Sequence, residues 1–257
     1  MIIILIYPTN FFRKELSRSS RNYNTMVKIS AGSYDLNKWL FGGYESDIIT
    51  VIYGASGTGK TNFSLLAAVS QAKKGNKVIF VDTEGGFSVE RVKQIAPENH
   101  EEILKNILLL KPTNFSEQKK SFEDLLKHLK DEISLIVVDG MTILYRLDFA
   151  AAREKDKEKD EKEMQKINSI LVNQMRTLAE IARKRNIPVL VTNQVYNWED
   201  EKKMVGGDIL KYWGKCLIEL VSEKGKRTAF LRKHRSLPEK SLDFQITNSG
   251  VSKKGGI

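Results

Sequence analysis

One cysteine, Cys216, stands in 257 residues, so no disulfide forms within the chain and no cysteine-based zinc site is available. The three histidines, His100, His128 and His234, lack metal-ligand spacing. Long apolar runs are missing as well. The start, MIIILIY, ends at Pro8, far short of the roughly 20 residues that span a bilayer. Arg13, Lys14, Arg18 and Arg21 follow that run, whereas an export signal places its positive charge first. These absences exclude a disulfide scaffold and give no sign of a membrane anchor; a reducing, cytoplasmic setting is the simple expectation. No internal repeat is visible.

Acidic residues are outnumbered. Forty-two Lys and Arg face 32 Asp and Glu, a net charge of +10, which points to a polyanionic partner without bearing on fold. Residues 1–25 carry four basic and one acidic side chain, so the remainder keeps +7. This opening segment is Ser/Asn-rich and without period, and Met26 precedes a plausible domain start. It is expected to be a disordered extension or an over-long start, with an edge-adding strand at Ile2–Ile6 as the alternative. The domain proper is then 26–257.

From Met26 short β-branched runs alternate with helical patterns, the signature of a mostly parallel twisted sheet with crossover helices on both faces. Strands are expected at 47–53, 77–82, 106–110, 133–139 and 187–192, where near-continuous Ile, Val and Leu suit burial on both faces. Helices are expected at 61–74, from a Ser88 cap toward Pro97, at 116–130, and as one long run from about Ala150 to Arg185. Three alternating segments, 215–222, 225–233 and 241–247, read as an antiparallel extension at the sheet edge. Residues 153–166 hold six basic and six acidic side chains, so they read as a solvated helix face with pairs such as Glu158–Lys162. A loop that orders on a partner is the other reading.

The chemistry concentrates in GASGTGKT, residues 54–61, which fits G-x-x-x-x-G-K-[ST]. In a chain of this length chance supplies such a match on the order of once in a hundred. Gly54, Gly57 and Gly59 let the backbone of Ala55, Ser56 and Thr58 curl so that N–H groups face phosphate oxygens at a helix N-terminus. Lys60 then reaches the β- and γ-phosphates, and the Thr61 hydroxyl ligates Mg²⁺. The expected ligand is ATP or another nucleoside triphosphate. Asp139, ending LIVVD, is the carboxylate expected to hold Mg²⁺ through water. Glu84, just past a strand end in VDTEGG, is the candidate general base, with Asp82 as its rival. Gln194 ends VLVTNQ, where a neutral amide can report the γ-phosphate to the loop that follows.

GASGTGKT, VDTEGGFSVERV, LIVVD and VTNQV, in this order and spacing, closely resemble the RecA/RadA recombinase family, and the resemblance runs over roughly 28–252 through VGGDIL, RKHRSLPE and FQITNSGV. Within the family the chain looks most like the short archaeal paralogues that lack the N-terminal helix-hairpin-helix domain. The resemblance implies a RecA-like P-loop ATPase core, Glu84 as catalytic glutamate and Gln194 as switch glutamine at the head of the second DNA loop. It also implies weak ATP hydrolysis, binding of single-stranded DNA, and assistance to the RadA recombinase or a Holliday-junction nuclease in recombination and repair. Two features depart from full recombinases. No Phe-x-x-Ala linker precedes Gly54; Phe149–Ala152 fits by letter only and lies beyond the Asp139 strand. The second DNA loop, Val195–Val205, has eleven residues, including Glu199, Asp200 and Glu201 beside Lys202 and Lys203, and suits insertion between bases poorly. Both argue against autonomous strand exchange.

Lys202 and Lys203 are kept as DNA-binding candidates, and further DNA contacts are sought elsewhere. Arg146 and Arg153 lie where the first DNA loop begins, and Tyr196 or Trp198 offers a ring for stacking. Segment 222–240 holds seven basic and two acidic residues, among them Arg232, Lys233 and Arg235 as phosphate contacts. If the strand continues, Lys233 and Arg235 share a face and resemble a Lys-x-Arg pair reaching a neighbour's γ-phosphate in a homo-oligomer. A DNA-stimulated, filament-forming recombinase and a P-loop module that binds only proteins remain the competing readings of function.

Overall fold

The structure, a computed structural model, describes residues 27–153, 157–198 and 201–255. The proposed extension 1–25 lies outside them. In chain order the elements are β1 (Lys28–Ile29), α1 (Tyr34–Trp39), β2 (Tyr44–Glu45), β3 (Ile49–Gly54), α2 (Lys60–Ala72) and β4 (Lys77–Asp82). Next come α3 (Val89–Ile95), α4 (His100–Lys105), β5 (Ile107–Leu110), α5 (Phe115–His128), β6 (Ile133–Asp139), α6 (Ile143–Arg153) and α7 (Lys157–Arg185). The chain closes with β7 (Val189–Trp198), β8 (Glu201–Met204), α8 (Gly207–Trp213), β9 (Gly214–Glu223), β10 (Lys226–Lys233), β11 (Lys240–Thr247) and β12 (Gly250–Lys253).

The main sheet runs β12-β11-β10-β9-β3-β7-β6-β4-β5, with β8 hydrogen-bonded to the far end of β7. From β9 to β5 every neighbouring pair is parallel, and β10, β11 and β12 are antiparallel to their neighbours. Residues 215–222, expected in the antiparallel extension, instead form the pivot: β9 is parallel to β3 on one side and antiparallel to β10 on the other. The extension gains a fourth strand, β12, whose SerLys ending carries no alternating apolar signal. Its outer edge is covered by α1, where the Ser33 hydroxyl donates to Val251 O at 2.6 Å and Asp35 accepts the Lys253 N–H at 2.7 Å.

Period-two alternation divides the core. Val78 and Phe80 pack with α2, whereas Ile79 and Val81 face α5, α6 and α7, and Leu135 and Val137 against Ile136 and Val138 repeat the division on β6. All are buried, as a sheet covered on both faces requires. Ser88 and Asn114 cap α3 and α5 by accepting the N–H of Arg91 and Glu117. Helical backbone begins earlier than expected, at Ile143, and is described to Arg153 and again from Lys157 to Arg185; residues 154–156 lie outside the described residues. The Glu158 side chain is outside the described residues. Among these residues no helix is long and apolar enough to cross a membrane.

Candidate functional site

The carboxyl ends of β3, β4, β6 and β7 meet along one rim, and the chemistry-bearing residues lie there. β3 ends at Gly54, whose register partner on β7 is Gln194, and Asp82 and Asp139 are partners at the ends of β4 and β6. A parallel sheet leads every chain off the same edge, so these residues converge although they are far apart in sequence.

Between β3 and α2 the phosphate loop curls through positive φ at Gly57 (74°) and Gly59 (110°). Gly54 is fixed by contact: a Cβ there would stand 2.2 Å from Leu220 O of β9. Thr58 closes the turn by donating to Ala55 O at 2.8 Å. Ala55, Ser56 and Gly57 are exposed at the crown. Lys60 is buried at the root, and its ammonium donates to Gly54 O (3.0 Å) and Ala55 O (2.9 Å). Burial lowers its pKa, opposed by the charges of Glu84 and Asp139. The loop carbonyls thus occupy the lysine donors that a phosphate would take over.

Asp139 is held at one oxygen only. Oδ1 accepts the Thr192 hydroxyl at 2.6 Å, while the buried Oδ2 faces the nearby Thr61 hydroxyl without a formed hydrogen bond to it or to any other group. Oδ2 and Thr61 Oγ1 both lie 3.3 Å from the point where a Cβ of Gly86 would sit, which places carboxylate and hydroxyl around one small space. Burial pushes the Asp139 pKa up to about 6; Thr192 and Thr61 oppose this, and Glu84 and Asp82 add to it. A buried anionic oxygen without a partner suits a cation. Two protein oxygens form no complete cage, and that fits Mg²⁺, which keeps waters and takes phosphate ligands.

The choice between Glu84 and Asp82 is open on sequence grounds, and their surroundings differ. Asp82 is buried and accepts the N–H groups of Gly86 and Phe87, both at 3.0 Å, so its carboxylate organises the loop after β4. Glu84 is exposed, and its Oε2 accepts from Gln194 Nε2 at 3.0 Å. Its approach depends on Gly140: a Cβ there would come within 2.6 Å of Glu84 Cγ and 2.5 Å of Thr83 Oγ1.

Residues 195–205, expected as a loop, fold as a hairpin. β7 continues past Gln194 to Trp198 and pairs with β8, with Val195 opposite Met204 and Tyr196 opposite Lys203. Alternating apolar residues in VTNQVYNW extend the strand pattern, and Glu199 and Asp200 lie outside the described residues. The root is pinned by the Val205 N–H donating to Gln194 O (3.2 Å) and Asn193 Nδ2 donating to Val205 O (2.8 Å). Asn193 also accepts the Thr142 hydroxyl, just beyond the Asp139 turn. Beside this root lies a cleft of about 690 Å³ lined by Tyr145, Arg146, Phe149, Arg153, Tyr196 and Val205. The structure thus brings Arg146, Arg153 and Tyr196 together, with the Arg146 guanidinium 5.9 Å from the Tyr196 ring centre. The side chains of Trp198 and Lys202 are outside the described residues.

The basic segment is not brought to that cleft. Arg232 pairs with Glu219 at 2.7 Å, and Lys233 donates to Lys211 O and Gly214 O, both at 2.9 Å, at the end of α8. Arg235 pairs with Glu45 at 2.6 Å and Asp47 at 2.8 Å. β10 ends at Lys233, and His234 turns inward with a side chain only 3% exposed. Lys233 and Arg235 therefore do not project together from a continued strand, which removes the geometric basis for pairing them on one neighbouring phosphate.

Thr192, Asn193 and Thr142 escape sequence reasoning because a hydroxyl or amide in an apolar strand reads as a local backbone partner. Arg91 escapes it as a helix-surface charge. It joins Asn62 of α2 (2.8 Å) to the carbonyls of Asn248 (3.1 Å) and Gly250 (3.3 Å), fastening the β11–β12 turn beside the phosphate loop.

The Rad51 family profile matches residues 22–254. The chain belongs to the Rad51 family. It is 39% identical to a DNA repair and recombination protein RadB of Methanobrevibacter smithii, over 90% of this chain and 97% of that one. The RadB of Methanocaldococcus jannaschii is 38% identical over 84% of this chain and 98% of its own length. That of Methanococcoides burtonii is 39% identical over 84% and 93%. Within the Rad51 family the chain therefore groups with RadB proteins, and its mixed sheet is the RecA-like core that the motifs imply.

Proposed function

We propose that this protein binds ATP with Mg²⁺ and single-stranded DNA as an accessory factor in homologous recombination and DNA repair. It hydrolyses ATP weakly, performs no strand exchange of its own, and assists RadA, with action on a junction nuclease as a further role. The observation that carries the nucleotide half is the arrangement of Lys60, Thr61 and the unpaired Asp139 Oδ2 around one phosphate loop. The similarity to DNA repair and recombination proteins RadB carries the recombination half.

In this reading Lys60 leaves the carbonyls of Gly54 and Ala55 for the β- and γ-phosphates. Thr61 and Asp139 would hold Mg²⁺, which neutralises phosphate charge when bound. Glu84 orients and deprotonates water, and while Gln194 donates to it, one lone pair of Oε2 is engaged. A γ-phosphate that draws the Gln194 amide away frees that oxygen and tugs the hairpin root through Val205. ATP then acts mainly as a conformational ligand, by its differential contacts in two states. Arg146 and Arg153 supply phosphate contacts at the cleft and Tyr196 a stacking ring. The short paired strands of 195–198 and 201–204, together with the acidic Glu199, Asp200 and Glu201 in the sequence between Val195 and Val205, support the absence of strand exchange.

Steady-state ATP hydrolysis by the full chain, with and without single-stranded DNA and with Lys60→Ala as blank, tests this. A slow rate indifferent to DNA is expected. A large DNA-dependent rise would instead favour a filament-forming recombinase. DNA binding itself must weaken steeply with salt, and absence of binding at low salt would leave a module that recognises only proteins.

A further inference from the structure

Thr192 lies on β7 between Val191 and Asn193, and its side chain has no contact with solvent. Its hydroxyl performs two tasks. It donates to Asp139 Oδ1 at 2.6 Å and accepts the backbone N–H of Gly140 at 2.7 Å. A hydroxyl has one proton, so the proton is committed to the carboxylate and a lone pair to the amide.

The consequences run in two directions along the rim. Toward the phosphate loop, fixing Oδ1 sets the rotation of the carboxylate and leaves Oδ2 as the oxygen that faces Thr61. Toward β4, holding the Gly140 N–H fixes a turn at φ 90°, where the missing Cβ admits Glu84 and Thr83. The Thr83 hydroxyl donates to Gly140 O at 2.6 Å and the Thr83 N–H donates to Asp139 O at 3.1 Å, so the same turn is tied from the other side. A strand residue that touches neither the loop nor the exposed glutamate thus orients both.

We propose that Thr192 is the positioning residue that makes nucleotide binding Mg²⁺-dependent, by holding Asp139 so that one defined carboxylate oxygen is presented to the metal. The inference rests on the ATP–Mg²⁺ reading above. Outer partners of ligating groups characteristically set metal affinity by about 10–100-fold. A serine retains both hydrogen bonds, whereas a valine of the same shape retains neither.

The test is binding of a fluorescent ATP analogue to the full chain, titrated in Mg²⁺ and again in EDTA, which needs no turnover. The parent protein is expected to bind more tightly with Mg²⁺. Thr192→Val should lose about tenfold of that Mg²⁺ increment while its EDTA affinity stays within about twofold of parent. Thr192→Ser should restore the increment. If the valine variant does not fold, Thr192→Cys, similar in size but a weak donor, must show the same selective loss. In an Asp139→Asn background the substitution should have no further effect. An intact Mg²⁺ increment in the valine or cysteine variant overturns the inference and leaves the nucleotide reading standing. Equal losses in Mg²⁺ and EDTA overturn it in favour of a purely structural threonine. No analogue binding by the parent overturns the nucleotide reading and this inference with it.

Discussion

Glu45 ends the small strand β2 with a side chain fully removed from solvent, and four side chains converge on it. Arg235 donates to it at 2.6 Å and the Ser236 hydroxyl at 3.0 Å, while His234 and Lys28 stand at 3.6 and 3.7 Å. His234 is oriented by its Nδ1, which accepts the N–H groups of Ser236 and Leu237, both at 3.1 Å, so its Nε2 proton points to Glu45. The knot ties the N-terminal β1–β2 pair to the chain leaving β10. Removing one member of a fully buried pair costs about 3–5 kcal/mol. Arg235 is one-third exposed and keeps Asp47, so the expected loss for Glu45→Ala is lower, about 2–3 kcal/mol. For a chain of this size that is a fall of about 4–12 °C in melting temperature. Glu45→Gln, which keeps the shape, should lose roughly half as much.

The pH dependence follows from signs. Burial raises the Glu45 pKa, but hydrogen bonds from Arg235 and Ser236 and the charges of His234 and Arg235 bring it below its ordinary value. Burial lowers that of His234 against the pull of Glu45. Both groups bind fewer protons folded than unfolded, so their contribution is complete above the unfolded values of about 6.5 and 4.3 and is lost as the pH falls. Thermal melts from pH 7.5 to 2.5 should show the gap between parent and Glu45→Gln maintained at neutrality and closing as the pH falls below the unfolded carboxylate value of about 4.3, where the Glu45 contribution is lost. A gap under about 1 °C at pH 7.5, or one that does not change with pH, would refute the assigned role.

Glu84→Gln should cut the single-turnover hydrolysis rate by about 10²-fold or more with nucleotide affinity unchanged, whereas Asp82→Ala, by releasing the loop, should weaken both; the opposite pattern would exchange their roles. Gly140→Ala places a Cβ 2.6 Å from Glu84 Cγ at φ 90°, so hydrolysis should fall at least about tenfold and the melting temperature should drop, measured by the same rate assay and by calorimetry. Asn193→Leu leaves the Thr142 hydroxyl and Val205 O without their partner and should cost about 2 kcal/mol. Hydrogen exchange in the variant should quicken first at Val205 and the adjoining hairpin, and unchanged protection there would count against the pinned root.

Legibility in the sequence follows the range of the interactions that decide each element. GASGTGKT declares its geometry within eight residues, because glycine freedom, a lysine and a hydroxyl are local requirements of a phosphate cradle. Buried strands declare themselves by composition, since two covered faces admit little but Ile, Val and Leu. The motif spacing of the Rad51 family then orders these pieces. The pivot at β9 is different. KCLIELVS is equally compatible with a parallel or an antiparallel neighbour, and only the chain's return beside β3 decides, an outcome set by contacts more than 150 residues apart. The paired strands at 195–198 and 201–204 are hidden by charge, because the acidic run WEDE reads as loop while the strand pairing is decided by the segments on either side.

Arg235 shows the same limit from the opposite direction. In the sequence it stands in a basic run and invites a phosphate, yet its partners Glu45 and Asp47 lie some 190 residues upstream and ahead of the phosphate loop. Positive charge counted along a segment is an upper bound on positive charge offered to a ligand, because folding returns carboxylates to it from elsewhere. Arg146 and Arg153 meet no carboxylate in that way among the described residues; they line an open cleft with aromatic rings beside the root of the 195–204 strand pair. The buried hydroxyl and amide that organise this rim stand inside VTNQV, but their partners are set by the fold and not by the motif. Thr192 sets one carboxylate oxygen, Asn193 sets the hairpin root, and the two are consecutive on one strand facing opposite layers. A strand that carries the Asp139 contact on one face and the Val205 contact on the other holds both in one rigid element.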